Sequence, residues 1–578
     1  MGSLMRTIVG SMVGVLLVLA LGAGVTAWKL DDKEGIAKRS WLHIDLYGDL
    51  PAYDPPAGLT GALGGGGQTL QDILTGLQMA AVDERIAGVV LQLSASHGAG
   101  AAKLQEIRQG VQGVRAAGKP VLAYADAIDL SVLFAAAACD SFYCPPAAYV
   151  QVLGLDRAVP HVKTALAKLG IEPQLSVIRD YKSAAQLVTR TDLTPEARRN
   201  AEALLGDRYA VMRAAIAAGR RVDEDTVEGW LEQALFTAPE ARAAGLVDGL
   251  LYWDELTPRF TADAKKGPRL VTLARYADED PDDLDLGGRK KIAVIHAQGN
   301  IGGRENGINP LLGLMMGHES ITRELERARR DEDVVAIVLR VDSGGGESLA
   351  SDLMGHKVEQ VAREKPVVVS MVDVAASGGY MMSYRASRIL ADPLTVTGSI
   401  GSISGKFDMS GFNAKIGLNY SHVSVGPNAT FLDDNRPFTP DEFARFDANH
   451  QADFQLWIEG VARARGLSVA DVEGLAMGRV FSGGQAVANG LVDELGGLPE
   501  AVAAARRLAG VAEKERTGLW HLPEKQGLLG SLLGGDEEVG AAARWMLYRA
   551  VRQDLRQVRE SLAGPTWHAI DPVYVDQP

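Results

Sequence analysis

The sequence predicts an α/β protein made of two tandem, related halves and preceded by one transmembrane helix. Three observations predict this fold class: an uncharged apolar run near the N-terminus, segments that repeat roughly 245 to 248 residues apart, and strands that alternate with helices within each repeat. With 578 residues, of which 47% are hydrophobic, the chain can bury more than one core.

The transmembrane helix is predicted from residues 7–28, which carry no charge and are long enough to cross a bilayer. A signal peptide is the alternative, since residues 25–27 are loosely like a cleavage site, but the apolar run exceeds a usual signal-peptide core. We therefore expect an uncleaved membrane anchor. Charge does not fix its orientation, because Arg6 precedes the run and four basic residues follow it between 29 and 39.

Matching segments define the two halves. Residues 87–93 (AGVVLQL) match 335–341 (VAIVLRV) as buried strands, and 236–248 match 481–493 near the end of each half. The acidic sequence ADEDPDDLDLGG suits a solvated linker between them. The predicted domains are an anchor (1–30), an N-terminal half (31–276), an acidic linker (277–289), a C-terminal half (290–510) and a helical tail (511–578).

Composition excludes several classes of function. The net charge of -14, from 59 basic and 73 acidic residues, would repel a phosphate backbone, so no nucleic-acid partner is predicted. The two cysteines, Cys139 and Cys144, are too few for a disulfide framework or a four-cysteine zinc site. We therefore propose no zinc cluster from the cysteines.

A serine in the C-terminal half stands where a strand is predicted to turn into a helix. Residues 367–380 read VVVSMVDVAASGGY, and Ser377 lies at the turn. Small neighbours would let a peptide approach, and the amide of Gly378 is a natural donor to an oxyanion. The alternative is that Ser377 only caps the helix, which is the commoner role of such a serine.

Two further loops of this half are rich in small residues. Residues 340–348 (RVDSGGGES) place three glycines after a strand, and Gly345 could donate the second oxyanion hydrogen bond. A phosphate loop is disfavoured, because no Lys-Ser or Lys-Thr pair follows the glycines. Residues 397–401 (TGSIG) place Ser399 on another loop. Ordinary flexible turns are the alternative for both segments.

A serine nucleophile needs a base. None of the ten histidines lies in a recognisable partner motif near these loops, although a histidine distant in sequence stays open. A lysine can serve when burial disfavours its charged form. Periodicity does not choose which lysine that is.

Taken together, these motifs resemble signal peptide peptidase A (protease IV) in its long, duplicated form, a serine peptidase family of the Clp protease/crotonase superfamily. The resemblance covers nearly the whole chain. It rests on the anchor, the two halves, and the segments ASGGY (376–380), TGSIG (397–401) and DYKS (180–183).

The resemblance implies two tandem Clp protease/crotonase-like domains and a Ser-Lys dyad. Ser377 would be the nucleophile and Lys182, from the N-terminal half, the general base. Ser399 would orient the lysine, and the amides of Gly345 and Gly378 would bind the oxyanion. The resemblance implies no metal and no cofactor. The implied function is a membrane-bound endopeptidase that degrades remnant signal peptides and other hydrophobic peptides through an acyl-enzyme.

The family likeness also implies a homotetramer in a bacterial inner membrane, held by a single span, with its catalytic body in the periplasm. Two positions depart from the family pattern, since Asp342 and Gly344 stand where asparagine and proline are usual. The N-terminal half lacks a second nucleophile motif, because its corresponding region 127–131 has no paired glycines. One active site per chain follows.

Other functions stay open at this stage. One alternative is a catalytically weak or silent membrane scaffold of the same fold, which the change at Gly344 allows. Another is a crotonase-type enzyme acting on thioesters, since that superfamily also uses paired amides to hold an oxyanion. Cleavage of folded membrane proteins is a third. A serine-directed probe and a thioester turnover assay separate the first two from a protease.

Overall fold

Each half of the chain forms a mainly parallel β-sheet with helices packed against it, so the predicted α/β fold in two related halves is confirmed. The computed structural model describes residues 35–53, 68–260, 269–309 and 312–524. The predicted anchor, 1–30, lies outside these residues. Among the helices of the described part, none is long and apolar enough to span a bilayer.

The first strand of the N-terminal half belongs to its main sheet. Its strands are β1 (Ser40–Gly48), β2 (Ile86–His97), β3 (Val121–Ala125), β4 (Ala127–Ile128), β5 (Ser141–Cys144), β6 (Tyr149–Gln151), β7 (Glu172–Ile178), β8 (Leu235–Phe236), β9 (Gly249–Leu250) and β10 (Leu270–Thr272). Its helices are α1 (Leu70–Val82), α2 (Ala101–Ala116), α3 (Leu130–Ala136), α4 (Lys163–Leu169), α5 (Gln186–Thr189), α6 (Pro195–Arg220), α7 (Glu224–Gln233), α8 (Ala238–Ala243), α9 (Trp253–Leu256) and α10 (Leu273–Tyr276).

The C-terminal half repeats this alternation. Its strands are β11 (Lys290–Gln298), β12 (Asn300–Ile301), β13 (Gly307–Asn309), β14 (Gly313–Met316), β15 (Val334–Ser343), β16 (Val367–Ala376), β17 (Arg388–Ala391), β18 (Val396–Gly398), β19 (Ser402–Asp408), β20 (Val480–Ser482), β21 (Glu494–Leu495) and β22 (Thr517–Leu522). Its helices are α11 (His318–Arg330), α12 (Ser348–Ala362), α13 (Gly378–Ser383), α14 (Ser410–Ile416), α15 (Pro440–Arg465), α16 (Val469–Leu475), α17 (Gly483–Ala488) and α18 (Leu498–Leu508).

The two main sheets share one topology. The first has the order β10-β1-β2-β3-β5-β9, and every neighbouring pair is parallel. The second runs β20-β18-β16-β15-β11-β22, with β17 also paired to β16 and to β21; of its pairs only β18 with β20 is antiparallel. The predicted strands 87–93 and 335–341 lie within β2 and β15, so both predictions are confirmed.

The long helices α6 and α15 show how the repeat fixes local structure. Thr194 and Thr439 each cap a helix of 26 residues with the side-chain oxygen, and a proline follows at the first helical position in both. Proline is suited to that position because its missing N–H would have no partner there. The same two-residue signal therefore starts the same element in both halves.

A two-stranded ribbon joins the halves. β7 of the N-terminal half pairs antiparallel with β19 of the C-terminal half, from Ile178 opposite Ser402 to Glu172 opposite Asp408. Ile178 is buried in the hydrophobic core of the C-terminal half. The segment that follows β7 is therefore held against the other half.

Helix α6 makes a second connection between the halves. Asn200 exchanges two hydrogen bonds with the backbone of Val480, of 2.8 and 2.9 Å, and Asp207 accepts a hydrogen bond from the hydroxyl of Ser482. Both partners lie on β20, at the edge of the second sheet. The N-terminal half thus holds that edge strand through side chains.

Two parts of the domain prediction differ from the structure. Residues 511–578 were predicted as a helical tail, but Thr517–Leu522 is a strand, because its backbone pairs parallel with β11 and Leu522 is buried in the core of the C-terminal half. The remainder of the tail beyond 524 lies outside the described residues. In the acidic linker, Leu284 and Leu286 pack against the N-terminal core, so this segment is not fully solvated.

Candidate active site

Ser377 lies at the junction of β16 and α13. Its backbone has φ 55° and ψ −115°, a conformation that a residue with a Cβ rarely adopts. The turn is held by a hydrogen bond of 2.9 Å from the Ser377 amide to the carbonyl of Gly398. Such a strained turn lifts a side chain above the end of the sheet, which is typical of nucleophilic serines.

Lys182 reaches this serine from the N-terminal half. It follows β7 and stands just before a 3-10 turn at Ser183–Ala185. Its Nζ lies 2.9 Å from Ser377 Oγ, 2.9 Å from Ser399 Oγ and 3.0 Å from the carbonyl oxygen of Ser399. The structure thus brings together the three side chains predicted for the dyad and its orienting residue.

Burial gives Lys182 an unusual protonation equilibrium. The side chain is buried, and desolvation alone lowers its pKa to about 7. About half of the amine is then neutral near pH 7. A neutral amine has two N–H donors and one lone pair. The two oxygens of Ser399 can take the donors, which leaves the lone pair for the hydroxyl proton of Ser377.

Ser399 is itself held in an uncommon conformation. Its φ is 52°, and its amide donates a hydrogen bond of 2.6 Å to the carbonyl of Arg479. The left-handed backbone lets both its carbonyl and its hydroxyl face Lys182. The loop 397–401 therefore places both oxygens of Ser399 on Lys182, and the orienting role of Ser399 stays a prediction.

Two glycines that sequence reasoning missed make room for the lysine. A Cβ on Gly478 would lie 2.5 Å from the backbone nitrogen of Lys182, and a Cβ on Gly401 would lie 3.2 Å from Lys182 Cδ. Gly478 also has φ +79°, which favours glycine. The repeat offered one signal for Gly478. The matching position of the N-terminal half is Gln233, so the glycine belongs to the C-terminal half alone.

Arg479 and Tyr181 hold the same region from outside. The Arg479 guanidinium donates a hydrogen bond of 2.8 Å to the Tyr181 hydroxyl and lies 4.3 Å from the centre of its ring. The Tyr181 amide donates to the carbonyl of Met477 at 2.9 Å. The residue next to Lys182 is thus tied to the C-terminal half by both backbone and side chain.

The two glycines predicted to form the oxyanion site lie together. Gly345 has φ +104°, and a Cβ there would lie 2.5 Å from the Gly378 nitrogen and 2.8 Å from Ser377 Cβ. In this structure the Gly345 amide donates to Ser343 Oγ at 3.1 Å. An oxyanion at Gly345 must therefore replace that hydrogen bond, and the role of this amide stays a prediction.

Metal-ligating clusters and reactive thiols are the other features that could supply chemistry. Within the described part of the chain, no cluster of three or more His, Cys, Asp or Glu side chains could hold an ion. Cys139 and Cys144 are both buried and free, and burial raises the pKa of their thiols to about 12 and about 11. Neither thiol is therefore suited to serve as a nucleophile.

A serine hydroxyl on a strained turn beside a buried amine, in an α/β fold, is the arrangement of a serine hydrolase that uses lysine as base. Comparison with known proteins agrees with this class. The profile of Peptidase family S49 matches residues 114–266 and 359–512, one stretch in each half. The chain belongs to Peptidase family S49, in a duplicated form, and is a serine protease.

Its relatives share most of its length. The chain is 32% identical over 475 residues to the chloroplastic serine protease SPPA of Arabidopsis thaliana, covering 81% of this chain and 70% of that protein. It is 30% identical over 517 residues to Protease 4 of Haemophilus influenzae, covering 85% and 82%. Protease 4 of Salmonella typhi is 30% identical over 469 residues, covering 78% and 73%. The predicted resemblance to signal peptide peptidase A is confirmed.

Proposed function

We propose that this protein is a serine endopeptidase with Ser377 as nucleophile and Lys182 as general base. One observation carries the proposal: Lys182 Nζ lies 2.9 Å from Ser377 Oγ, and burial lowers the pKa of the amine with no carboxylate of the described residues opposing that effect. The neutral amine can therefore accept the hydroxyl proton near neutral pH. A lysine paired with a carboxylate would stay charged and could not accept that proton.

The reaction then proceeds in two steps. Ser377 Oγ attacks the peptide carbonyl carbon while its proton passes to Lys182 Nζ, and the amides of Gly378 and Gly345 bind the oxyanion. The ammonium of Lys182 gives its proton to the departing amine, which leaves an acyl-enzyme. The neutral lysine then takes a proton from water, and the hydroxide adds to the ester carbon. The bond to Ser377 Oγ breaks, and the Lys182 ammonium returns the proton to that oxygen.

The surface beside the site favours apolar peptides. Helix α12 starts two residues after Gly346, and its side chains Leu349 and Leu353 are 63% and 39% exposed. Residues four apart lie on one face of a helix, so the two leucines form one apolar strip next to the glycine loop. We assign hydrophobic peptides, including signal peptides left in the membrane after cleavage, as the substrates.

The cellular setting is part of the proposal. The uncharged run 7–28 supports a single-pass anchor in a bacterial inner membrane, with the catalytic body in the periplasm. The likeness to the signal peptide peptidase A family supports a homotetramer. Protease accessibility in spheroplasts tests the orientation, and mass photometry of the detergent-solubilised chain tests the assembly. A body protected from added protease, or a monomer, contradicts the corresponding statement.

Labelling with a serine-reactive phosphonate tests the chemistry. We expect modification of Ser377 in the wild type, as mapped by mass spectrometry, and none in Ser377→Ala or Lys182→Ala. Lys182→Arg should also be silent, because a guanidinium does not lose its proton. Absence of labelling in a folded wild type moves the scaffold alternative to the front. Turnover of acyl thioesters without peptide cleavage would support the crotonase-type alternative.

A further inference from the structure

A cluster of charged side chains lies between the two halves, behind the loops of the active site. It consists of Lys103 and Glu106 on α2 of the N-terminal half, and Arg340, Asp342 and Asp373 on β15 and β16 of the C-terminal half. All are buried except the partly exposed Asp342. The proton transfers proposed above use none of them. Burying a charged side chain destabilises the fold unless the charge is paired, so the pairing of these five groups indicates what they do.

Asp342 lies where the ladder between β15 and β16 is interrupted. The strands are in register at Val341 opposite Met371 and again at Ser343 opposite Ala375, so two extra residues of β16 bulge between these pairs. Asp342 Oδ1 accepts a hydrogen bond of 3.2 Å from the amide of Val374 in the bulge. A side chain thus replaces a ladder hydrogen bond immediately before the glycine loop.

Asp373 lies inside the same bulge and contacts the N-terminal half. Its Oδ1 accepts hydrogen bonds from the amides of Ala102 at 3.0 Å and Lys103 at 3.1 Å, in the first turn of α2. A Cβ on Gly100 would lie 2.3 Å from the carboxyl carbon of Asp373. Helix α2 therefore docks directly on the strand that leads to Ser377.

Lys103 joins the two carboxylates. Its Nζ lies 2.8 Å from Asp342 Oδ2 and 3.3 Å from Asp373 Oδ2. Burial disfavours the charged amine, but the two carboxylates outweigh burial and raise the pKa of Lys103 above its ordinary value. The amine is therefore charged whenever the protease works. Glu106 and Arg340 instead pair with each other at 2.6 Å.

We propose that Lys103 is a positioning residue for proteolysis, which fixes the roots of the glycine loop and of the nucleophile turn relative to each other. The inference rests on the roles proposed for Ser377 and Gly345. Asp342 precedes Gly345 by three residues and Asp373 precedes Ser377 by four. One ammonium group thus sets the spacing of the two segments that must hold the same carbonyl carbon and its oxygen.

Loss of the ammonium leaves two carboxylates facing each other across the bulge, which pushes the segments apart. We expect Lys103→Met to lower kcat by about 10- to 100-fold with KM little changed, since small displacements of reacting groups have effects of that size. The assay is cleavage of an internally quenched, leucine-rich peptide by the full chain in detergent.

Lys119→Met is the matched control. Lys119 also belongs to the N-terminal half and also donates to buried groups, the carbonyls of Ala80 and Asp83, but it stands before β3 at the opposite end of the sheet. Its loss should lower stability and leave kcat at the wild-type level. An equal fall of kcat in both variants would overturn the inference, because it would show a general response to a lost lysine.

The pH dependence of kcat/KM distinguishes an effect of the Lys103 charge from a general loosening of the two segments. Lys103→Met makes the cluster more negative, which favours protonated Lys182, so the acid limb of kcat/KM should move up by roughly half a pH unit. Asp342→Asn makes the cluster more positive and should move the limb down. Glu106, Arg340 and Asp373, the other charged groups of the cluster, are the same in both variants, and so is the buried Asp392, whose carboxyl interacts with all three.

The remaining outcomes are decisive as well. Asparagine keeps the acceptor for the Val374 amide, so Asp342→Asn should fold even if Lys103→Met does not. An acid limb of kcat/KM that does not move in Asp342→Asn would overturn the inference. The double variant Lys103→Met/Asp342→Asn should return the limb to its wild-type position. Peptide cleavage by Ser377→Ala would instead overturn the proposed dyad, which distinguishes the two failures.

Discussion

Lys182 Nζ and Ser377 Oγ lie 2.9 Å apart, although the two residues belong to different halves of a duplicated chain. A second buried lysine, Lys103, lies at the same junction with the opposite chemistry. Desolvation lowers the pKa of Lys182 to about 7, whereas two carboxylates raise that of Lys103. The absence of a carboxylate thus suits Lys182 to the proposed role of base, and the two carboxylates suit Lys103 to the proposed role of fixed charge.

The activity should depend on pH through Lys182. In the proposed mechanism the neutral amine is the active form, so kcat/KM should rise with pH, reach half of its maximum near pH 7, and level off above. The measurement is cleavage of the quenched peptide between pH 5 and about 9, with phosphonate labelling rates taken in parallel. A profile that falls across this range would contradict a lysine base.

The same lysine should weaken the fold. The pKa of Lys182 is about 7 in the folded chain and 10.5 ordinarily, so between these values the unfolded chain holds the extra proton. The free energy of unfolding attributable to this group is then lowest below pH 7 and rises toward 10.5. Lys182→Met should therefore melt at a higher temperature than wild type at pH 7, and this difference should shrink at alkaline pH. A constant difference would contradict the assignment.

Gly478→Ala should inactivate the protease. The added methyl would lie 2.5 Å from the backbone nitrogen of Lys182 at a φ of +79°, so the backbone that carries the lysine must move. Since a displacement of about 1 Å in a catalytic group costs on the order of 100-fold, kcat should fall by that amount. Gly474→Ala is the matched control, because nothing lies within 4 Å of a Cβ there. Similar activity of the two variants would show that Gly478 is not needed.

His450 should stabilise the ribbon that holds the dyad. Its Nδ1 lies 2.7 Å from Ser176 Oγ on β7, which donates to Asp447, and its Nε2 lies 2.7 Å from Ser402 Oγ on β19. His450→Leu leaves the two hydroxyls without this partner, and we expect a loss of about 1–3 kcal/mol in the free energy of unfolding. Urea unfolding of the solubilised chain measures it.

The pH dependence gives a second check on His450. Burial lowers the pKa of His450 below its ordinary 6.5, so between the two values the unfolded chain binds the proton and stability is lost as pH falls. His450→Leu should flatten this slope. His356→Leu, a change on the exposed side of α12, should keep both the slope and the stability of the wild type.

Sequence patterns predicted the features that depend on residues close together in the chain. The strands β2 and β15, the glycine loop and the turn at Ser377 follow from short runs of residue types, and the repeat revealed two halves. The choice of Lys182 came from family resemblance, since no pattern in the chain distinguishes a buried lysine from a solvated one. The structure then placed Lys182, Ser377 and Ser399 within hydrogen-bonding distance.

What could not be predicted depends on contacts between distant segments. The carboxylates that Lys103 contacts lie on strands of the other half, and Gly478 matters only because Lys182 packs on it. The strand β22 was missed because its six residues gain their partner only when the second sheet has formed. Such features become visible only in three dimensions.

The division of the dyad between the halves has a consequence for synthesis. A ribosome completes Lys182 long before it reaches Ser377, and Ser399, which contacts the lysine, comes later still. A nascent or prematurely terminated chain that ends within the first half carries an amine without a nucleophile. On the proposed mechanism, proteolytic activity therefore arises only after most of the polypeptide has been made and both halves have docked. The order of the two residues along the chain would then keep unfinished copies inactive.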